Sequence, residues 1–454
     1  MGKGRTLIRG VLMLAASGLM LRGLGVLFQS FLAGRIGAEG MGLLQLVLTV
    51  GGFAGTLASS GVRVAALQMT AAAFGRGDRH DLSAAVGGCL RYGLIVSGTV
   101  GLGLILLAEP IAGRLLLDRR TVPALRTLGL LLPFPTLCGV LRGVFTACGR
   151  VRELVAVEAP ERILGVGLTI LLLRFAGDLP EICAAVIAGS FGSSLFSVTV
   201  LLVRLRRSVR RCGKPPLGPV IRLCVPLALN DYLRAGLSAV EQFLIPWGLS
   251  RSGSRSSALS AYGRISGMVF PVLWFPSELV FALAELMVSE LARCQARGEA
   301  ERLLGLVRKC LRAVAGFAGT VFLVLYTLGG PLGRFLFRSA EVGYELRVFA
   351  PMVLFLYPDA IVDGLQKGLG QQLYLVRYNS LTNVIDVVGL FTLLPRFGIA
   401  GYLFTYCLSH LVNLFLSLRR LLVILPEGGG QEEKRPSGAA AGRLTQDAKP
   451  AIRT

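Results

Sequence analysis

The stretch VEAPERILG, residues 157–165, places Glu158, Pro160, Glu161 and Arg162 inside an oily run that extends from Val151 to Phe175. Glu158 and Arg162 are four apart, so a helix brings them to one face in the order that favours an ion pair. Arginine there has a distinctive chemistry, because its planar fork donates two parallel hydrogen bonds to phosphate or carboxylate oxygens. The mixture recurs elsewhere. Arg22 and Gln29, seven apart, share a face. Asp231, Arg234 and Glu241 fall within about 80° on a helical wheel, and Arg264, Glu278 and Glu285 within about 60°. Arg22, Gln29, Glu158, Arg162, Arg234 and Arg264 are therefore the expected anion-binding set. Asp231, Glu241, Glu278 and Glu285 are the carboxylates that can take up H+ or Na+. Buried ion pairs that merely hold helices together are the competing reading, and it weighs most for Glu161, Asp359 and Asp386.

Catalytic patterns do not compete with this. The chain has no GxxxxGK[ST] phosphate loop, no HExxH and no GxSxG. Its two histidines, His80 and His410, are far apart in sequence, and its nine cysteines include no CxxC pair. No enzyme activity, metal or cofactor is expected, and the cysteines read as small buried hydrophobes.

The elements that must position these residues follow from composition. Of 454 residues, 53% are hydrophobic and only 16% charged, well short of the charge a soluble surface needs. Apolar windows of spanning length recur throughout, predicting an all-α membrane protein. The spans fall at 7–33, 41–73, 84–108, 123–146, 153–175, 181–203, 219–249, 257–290, 306–329, 345–366, 379–395 and 399–424. Gly61, Pro271 and Pro276 are expected to break or bend theirs. The net charge of +22 sits mainly between spans, where it fixes topology and meets anionic headgroups rather than nucleic acid. The basic run 204–214 and all six lysines fall on one side if both termini are cytoplasmic.

The chain also repeats. Residues 75–100 align with 296–321 at an offset of 221, pairing Cys89 with Cys310 and Arg91 with Arg312, and residues 142–149 align with 363–370 in the same register, pairing Gly143 with Gly364 and Gly149 with Gly370. An even number of spans between copies makes the repeat parallel. It predicts two six-helix lobes related by a pseudo-two-fold axis along the membrane normal, with a path between them. The expected units are 1–212, 213–425 and a disordered cytoplasmic tail at 426–454. By this logic Arg22 and Arg264 face one central cavity, one from each lobe.

LRGLGVLFQSFLAGRIGAEGMGLLQL (21–46), SSGVRVAALQ (59–68), VPLALNDYLRAGLSAVEQFLIPWGLSRSG (225–253) and AYGRISGMVFPVLWFPSELVFALAELMVSEL (261–291) resemble the stage V sporulation protein B and polysaccharide exporter family. That family is part of the multidrug/oligosaccharidyl-lipid/polysaccharide (MOP) flippase superfamily, related to the lipid II flippases. Arg22 and Gly25 match the first-helix SR…G pattern, and Glu158 with Arg162 the fifth-helix ExxxR of sporulation relatives. The chain departs from the pattern at Phe28, Gln29 and Arg63, where relatives carry arginine, arginine and proline; the resemblance implies that Arg63, from the second helix, supplies the missing charge and joins the anion-binding set. The resemblance implies a MATE-like fold in the bacterial cytoplasmic membrane. It also implies alternating-access flipping of an undecaprenyl-type lipid-linked sugar or peptidoglycan precursor, in sporulation or cell-wall synthesis. A multidrug cation antiporter on the same fold, a membrane-embedded transferase and a scaffold of the division or sporulation machinery are the alternatives.

Overall fold

The computed structural model describes residues 2–75, 79–206, 218–251 and 254–424, and among these no strand occurs. The boundary near 212, much of the basic run 204–214 and the tail lie outside the described residues.

Seven helical segments are long and apolar enough to cross a membrane, or eight if the bent pair within residues 255–295 is one span. Two of the seven are of double length: Gly18–Ala73 has 56 residues and Gln372–Ile424 has 53, where about 20 suffice. Both are broken at a glycine, Gly37 (φ 68°) and Gly398 (φ 55°), so each provides two passes. Val151–Leu172 and Gly218–Leu249 are also of spanning length, although polar and charged residues interrupt their apolar character. The described chain thus makes twelve helical passes at the positions predicted.

Local chemistry sets the irregularities. The second pass breaks at Ser60–Gly61, where Gly61 has φ 73°. The eighth pass contains a π-helical turn at Ile265–Val269 and bends by 53° ahead of Ser277–Ala296. Pro276 stands at that bend, and a ring without an N–H interrupts the helical ladder there. The ninth pass, Ala300–Phe337, buries one stripe, including Leu303, Val307, Cys310, Val314, Ala318, Val321 and Leu325. Three- and four-residue steps keep that stripe on a single helix face. Elsewhere large apolar side chains such as Leu94, Leu323 and Phe415 are exposed, as suits a surface solvated by lipid.

The repeat holds in three dimensions. Gly149 and Gly370 both take the left-handed conformation, φ 70° and 74°, which L-residues with a Cβ disfavour. A Cβ on Gly143 would lie 2.6 Å from the Arg63 carbonyl oxygen, and one on Gly364 would lie 2.6 Å from the Ala284 Cβ. Arg63 and Ala284 are themselves 221 apart, so the same helix crossing is built twice. The lobes meet where the start of the second pass crosses the start of the eighth. There a Cβ on Gly263 would come within 2.0 Å of the Ala38 carbonyl oxygen.

Candidate functional site

Two polar cavities are lined jointly by helices of both lobes. The first, about 860 Å³, is lined from the second, fourth, seventh and eleventh passes by Ser59, Ser60, Arg63, Thr146, Asp231, Arg234, Ser238, Glu241 and Asn383, among others. Ser60 donates to Asp231 Oδ2 at 2.6 Å, tying the break in the second pass to the seventh. Arg63 and Arg234 are exposed to the cavity and have no hydrogen-bonding or ionic partner among the described residues. Glu241 Oε1 is buried without a partner.

The second cavity, about 680 Å³, holds Arg22, Arg162, Glu278, Glu285, Asp363 and Lys367 on the first, fifth, eighth and tenth passes. Arg22 donates to Glu278 at 2.5 Å, an ion pair between the lobes. Arg162 is exposed and, among the described residues, unpaired. Asp363 Oδ1 is buried without a partner. The cavity therefore carries both signs of charge, with one arginine occupied and one free.

Several expectations are corrected. Glu158 does not pair with Arg162: its ion pair is with Arg142, at 3.2 Å. Arg142 also donates to Glu161 at 2.8 Å, and Ser194 and Ser197 donate to the same carboxylate at 3.1 and 2.7 Å. Glu161 is a satisfied structural acid, as the competing reading has it. Arg264 does not share a cavity with Arg22. It binds Glu345 at 2.8 Å and Glu341 at 2.9 Å, in a mostly apolar depression beside Tyr344 and Phe404. Helix periodicity could not show this, because the acids come from the tenth pass. Gln29 lines neither cavity, and its Oε1 is buried without a partner.

Sequence reasoning missed Arg142, Asp363, Lys367 and Asn383. Arg142 and Asp363 are aligned by the repeat, as are Arg162 and Asn383. Repeat register was thus a signal for them. Asp359, by contrast, is structural as expected, held by His410 Nδ1 at 2.9 Å and Asn413 Nδ2 at 2.8 Å. Asp386 keeps one oxygen, Oδ1, buried and unpartnered.

The outward-facing loops, if the basic run is cytoplasmic, carry a further network. Arg120 donates to both Glu39 and Asp118 at 2.7 Å, and Ser256 donates to Glu39 at 2.7 Å. Burial opposes ionisation of Asp118, yet its hydrogen bonds from Arg120 prevail and hold the carboxyl below the usual range.

The fold is that of MOP-superfamily transporters. A multidrug resistance MATE family transporter in its inward-facing conformation superposes with a TM-score of 0.70 at 14% identity, covering 90% of this chain and 96% of that one. The outward-facing conformation of such a transporter gives 0.61 at 15% identity, covering 94% and 99%. Residues 7–224 match the polysaccharide biosynthesis protein family model. Across both lobes the chain is similar to Stage V sporulation protein B of Bacillus subtilis (strain 168), 22% identical over 418 residues, 87% of this chain and 80% of that protein.

Proposed function

We propose that this chain is a flippase of the bacterial cytoplasmic membrane, moving an undecaprenyl-type lipid-linked sugar by alternating access, with a peptidoglycan precursor of the spore cortex or cell wall as the substrate class. The observation that carries this is the set of unpaired guanidinium groups, Arg63, Arg234 and Arg162, lining the two cavities. A charge at bilayer depth costs at least about 2.5 kcal/mol on insertion scales. An unpaired arginine kept there implies an anionic ligand, and a pyrophosphate matches its fork. The lipid tail stays in the bilayer while the headgroup crosses between the lobes. Glu241 and Asp363, each with a buried unpartnered oxygen, are the preferred coupling sites for H+ or Na+ over Asp231, Glu278 and Glu285. No covalent chemistry on the substrate is part of this reading.

The test is flipping of a fluorescent lipid-linked precursor in vesicles, with Arg63→Ala combined with Arg234→Ala expected to abolish it at matched abundance. Three acids in the second cavity favour a cation antiporter instead. That reading predicts cation efflux that survives loss of the arginines and fails with Glu285→Gln. Both termini are assigned to the cytoplasm. A cysteine at Arg119 should react with an impermeant reagent added outside, whereas one at Lys214 should be protected, and the reverse pattern would invert the topology.

A further inference from the structure

A third cavity, about 440 Å³, shares no lining residue with the two polar ones and has walls from both lobes. From the first lobe it takes Leu46 and the turn Arg114–Leu117; from the second it takes residues of the seventh, eighth and eleventh passes, including Leu244, Trp247, Arg255 and Phe391. We infer that this slot is a binding site for an anionic phospholipid, whose acyl chain fills it while Arg114 and Arg255 hold the phosphate, and that the bound lipid bridges the two lobes.

Four observations support this. The lining is apolar, with Trp247 and Phe391 stacked at 5.4 Å between centroids. Its rim leucines Leu115 and Leu117 are 51% and 55% exposed, and Phe391 57%; in a chain that crosses the bilayer, such residues face lipid. Trp247 is capped by the Arg251 guanidinium, 4.8 Å from the ring centroid, an arrangement suited to headgroup depth, where tryptophan and arginine concentrate. Finally, the charge is one-sided. Arg114 has no partner among the described residues, Arg255 donates to the Leu116 carbonyl oxygen and keeps further donors, and no acid lines the slot. Asp118 lies near Arg255 but its carboxylate is taken by Arg120.

The turn is built for this placement. Leu117 is one of only two non-glycine residues with positive φ among those described, at 53°. A leucine disfavours that conformation, and local strain of this kind collects at ligand clamps. Because the slot has walls from both lobes, a lipid in it favours the state in which those walls are together. Its site and the transport cycle are then linked reciprocally. The inference rests on the membrane placement proposed above but not on the transported substrate.

The test uses full-length protein in detergent, stripped of lipid, with phosphatidylglycerol or phosphatidylcholine added and bound lipid counted by native mass spectrometry. The wild type should retain phosphatidylglycerol in preference to phosphatidylcholine. Arg114→Gln, which leaves the Arg255–Leu116 contact intact, should weaken that preference roughly tenfold, the weight of a lost charge-assisted hydrogen bond. Leu244→Trp, which fills the slot, should reduce retention of both lipids, with gel filtration confirming that each variant is folded. Competition by glycerol phosphate as effective as by the whole lipid would identify a free-phosphate site and overturn the proposal. So would equal retention of the two lipids, or variants that bind as the wild type does. None of these readouts requires turnover, so failure of the flippase reading would leave them interpretable.

Discussion

The fifth pass and the eleventh occupy the same place in their respective lobes, 221 residues apart, yet they carry opposite chemistry. In the first lobe Glu161 is neutralised by Arg142, Ser194 and Ser197, and the next residue, Arg162, is free to face the second cavity. In the second lobe the positions equivalent to Arg142, Glu161 and Arg162 are Asp363, Thr382 and Asn383. There the buried acid Asp359 is met by His410 and Asn413, while Asp363 and Asp386 each keep a buried oxygen without a partner. At these matched helices the first lobe presents a spare cation and the second spare carboxylates, while the second lobe's unpaired Arg234 lies on its seventh pass instead. Duplication preserves helix crossings because they depend on glycine and shape, whereas the charges are free to diverge. That divergence suits a division of labour between anion binding and cation coupling.

The comparison breaks most sharply at Arg162. Arg162→Ala should lower flipping at least tenfold, the loss of about one charge-assisted contact or more, with unchanged thermal stability in detergent. Arg162→Lys should keep only part of the activity, since an ammonium lacks the fork. Asn383→Ala, its counterpart, should be milder in the same vesicle assay.

Next comes Arg142. Arg142→Met leaves Glu161 buried with only two hydroxyl partners, and should destabilise the protein by about 3 kcal/mol, as broken buried pairs do. Asp363→Asn, at the matching position, should cost under about 1 kcal/mol, since it removes no ion pair. Equal melting shifts for the two would mean that the lobes are electrostatically alike.

The scaffold itself should respond symmetrically. Gly143→Ala and Gly364→Ala each force a Cβ to within 2.6 Å of a neighbour and should each cost about 1–3 kcal/mol by overpacking. A much smaller shift for one of them would show that its lobe can relax where the other cannot. The smallest effect belongs to Glu158→Gln. Its side chain is 48% exposed and it does not position Arg162, so flipping should change little. If the double replacement of Glu158 and Arg162 by Gln flipped normally, Arg162 would have no role in binding.

Helix number, the break at Gly61 and the repeat register were legible in the chain because they rest on hydropathy and backbone chemistry, which are local; the glycine kinks at Gly37 and Gly398 were not singled out. The polar residues of the spans were legible one helix at a time, and Arg22, Arg63, Arg162, Arg234 and the four acids do line cavities. Pairing was not legible. Periodicity put Glu158 beside Arg162 because both lie on one helix, but Arg142 reaches Glu158 from the fourth pass and takes it instead. In the same way Glu341 and Glu345, some eighty residues on in the chain, withdraw Arg264 from the cavity that repeat logic assigned to it.

The sequence alone therefore determined that this chain is a twelve-pass, twice-built helical membrane protein with charges where hydrocarbon makes them costly. Which charge neutralises which, and which arginines remain free, was decided only by tertiary structure. The physical reason is range: hydropathy is a property of one segment, whereas an ion pair at bilayer depth needs a partner within about 4 Å, and packing alone determines which distant helix supplies it.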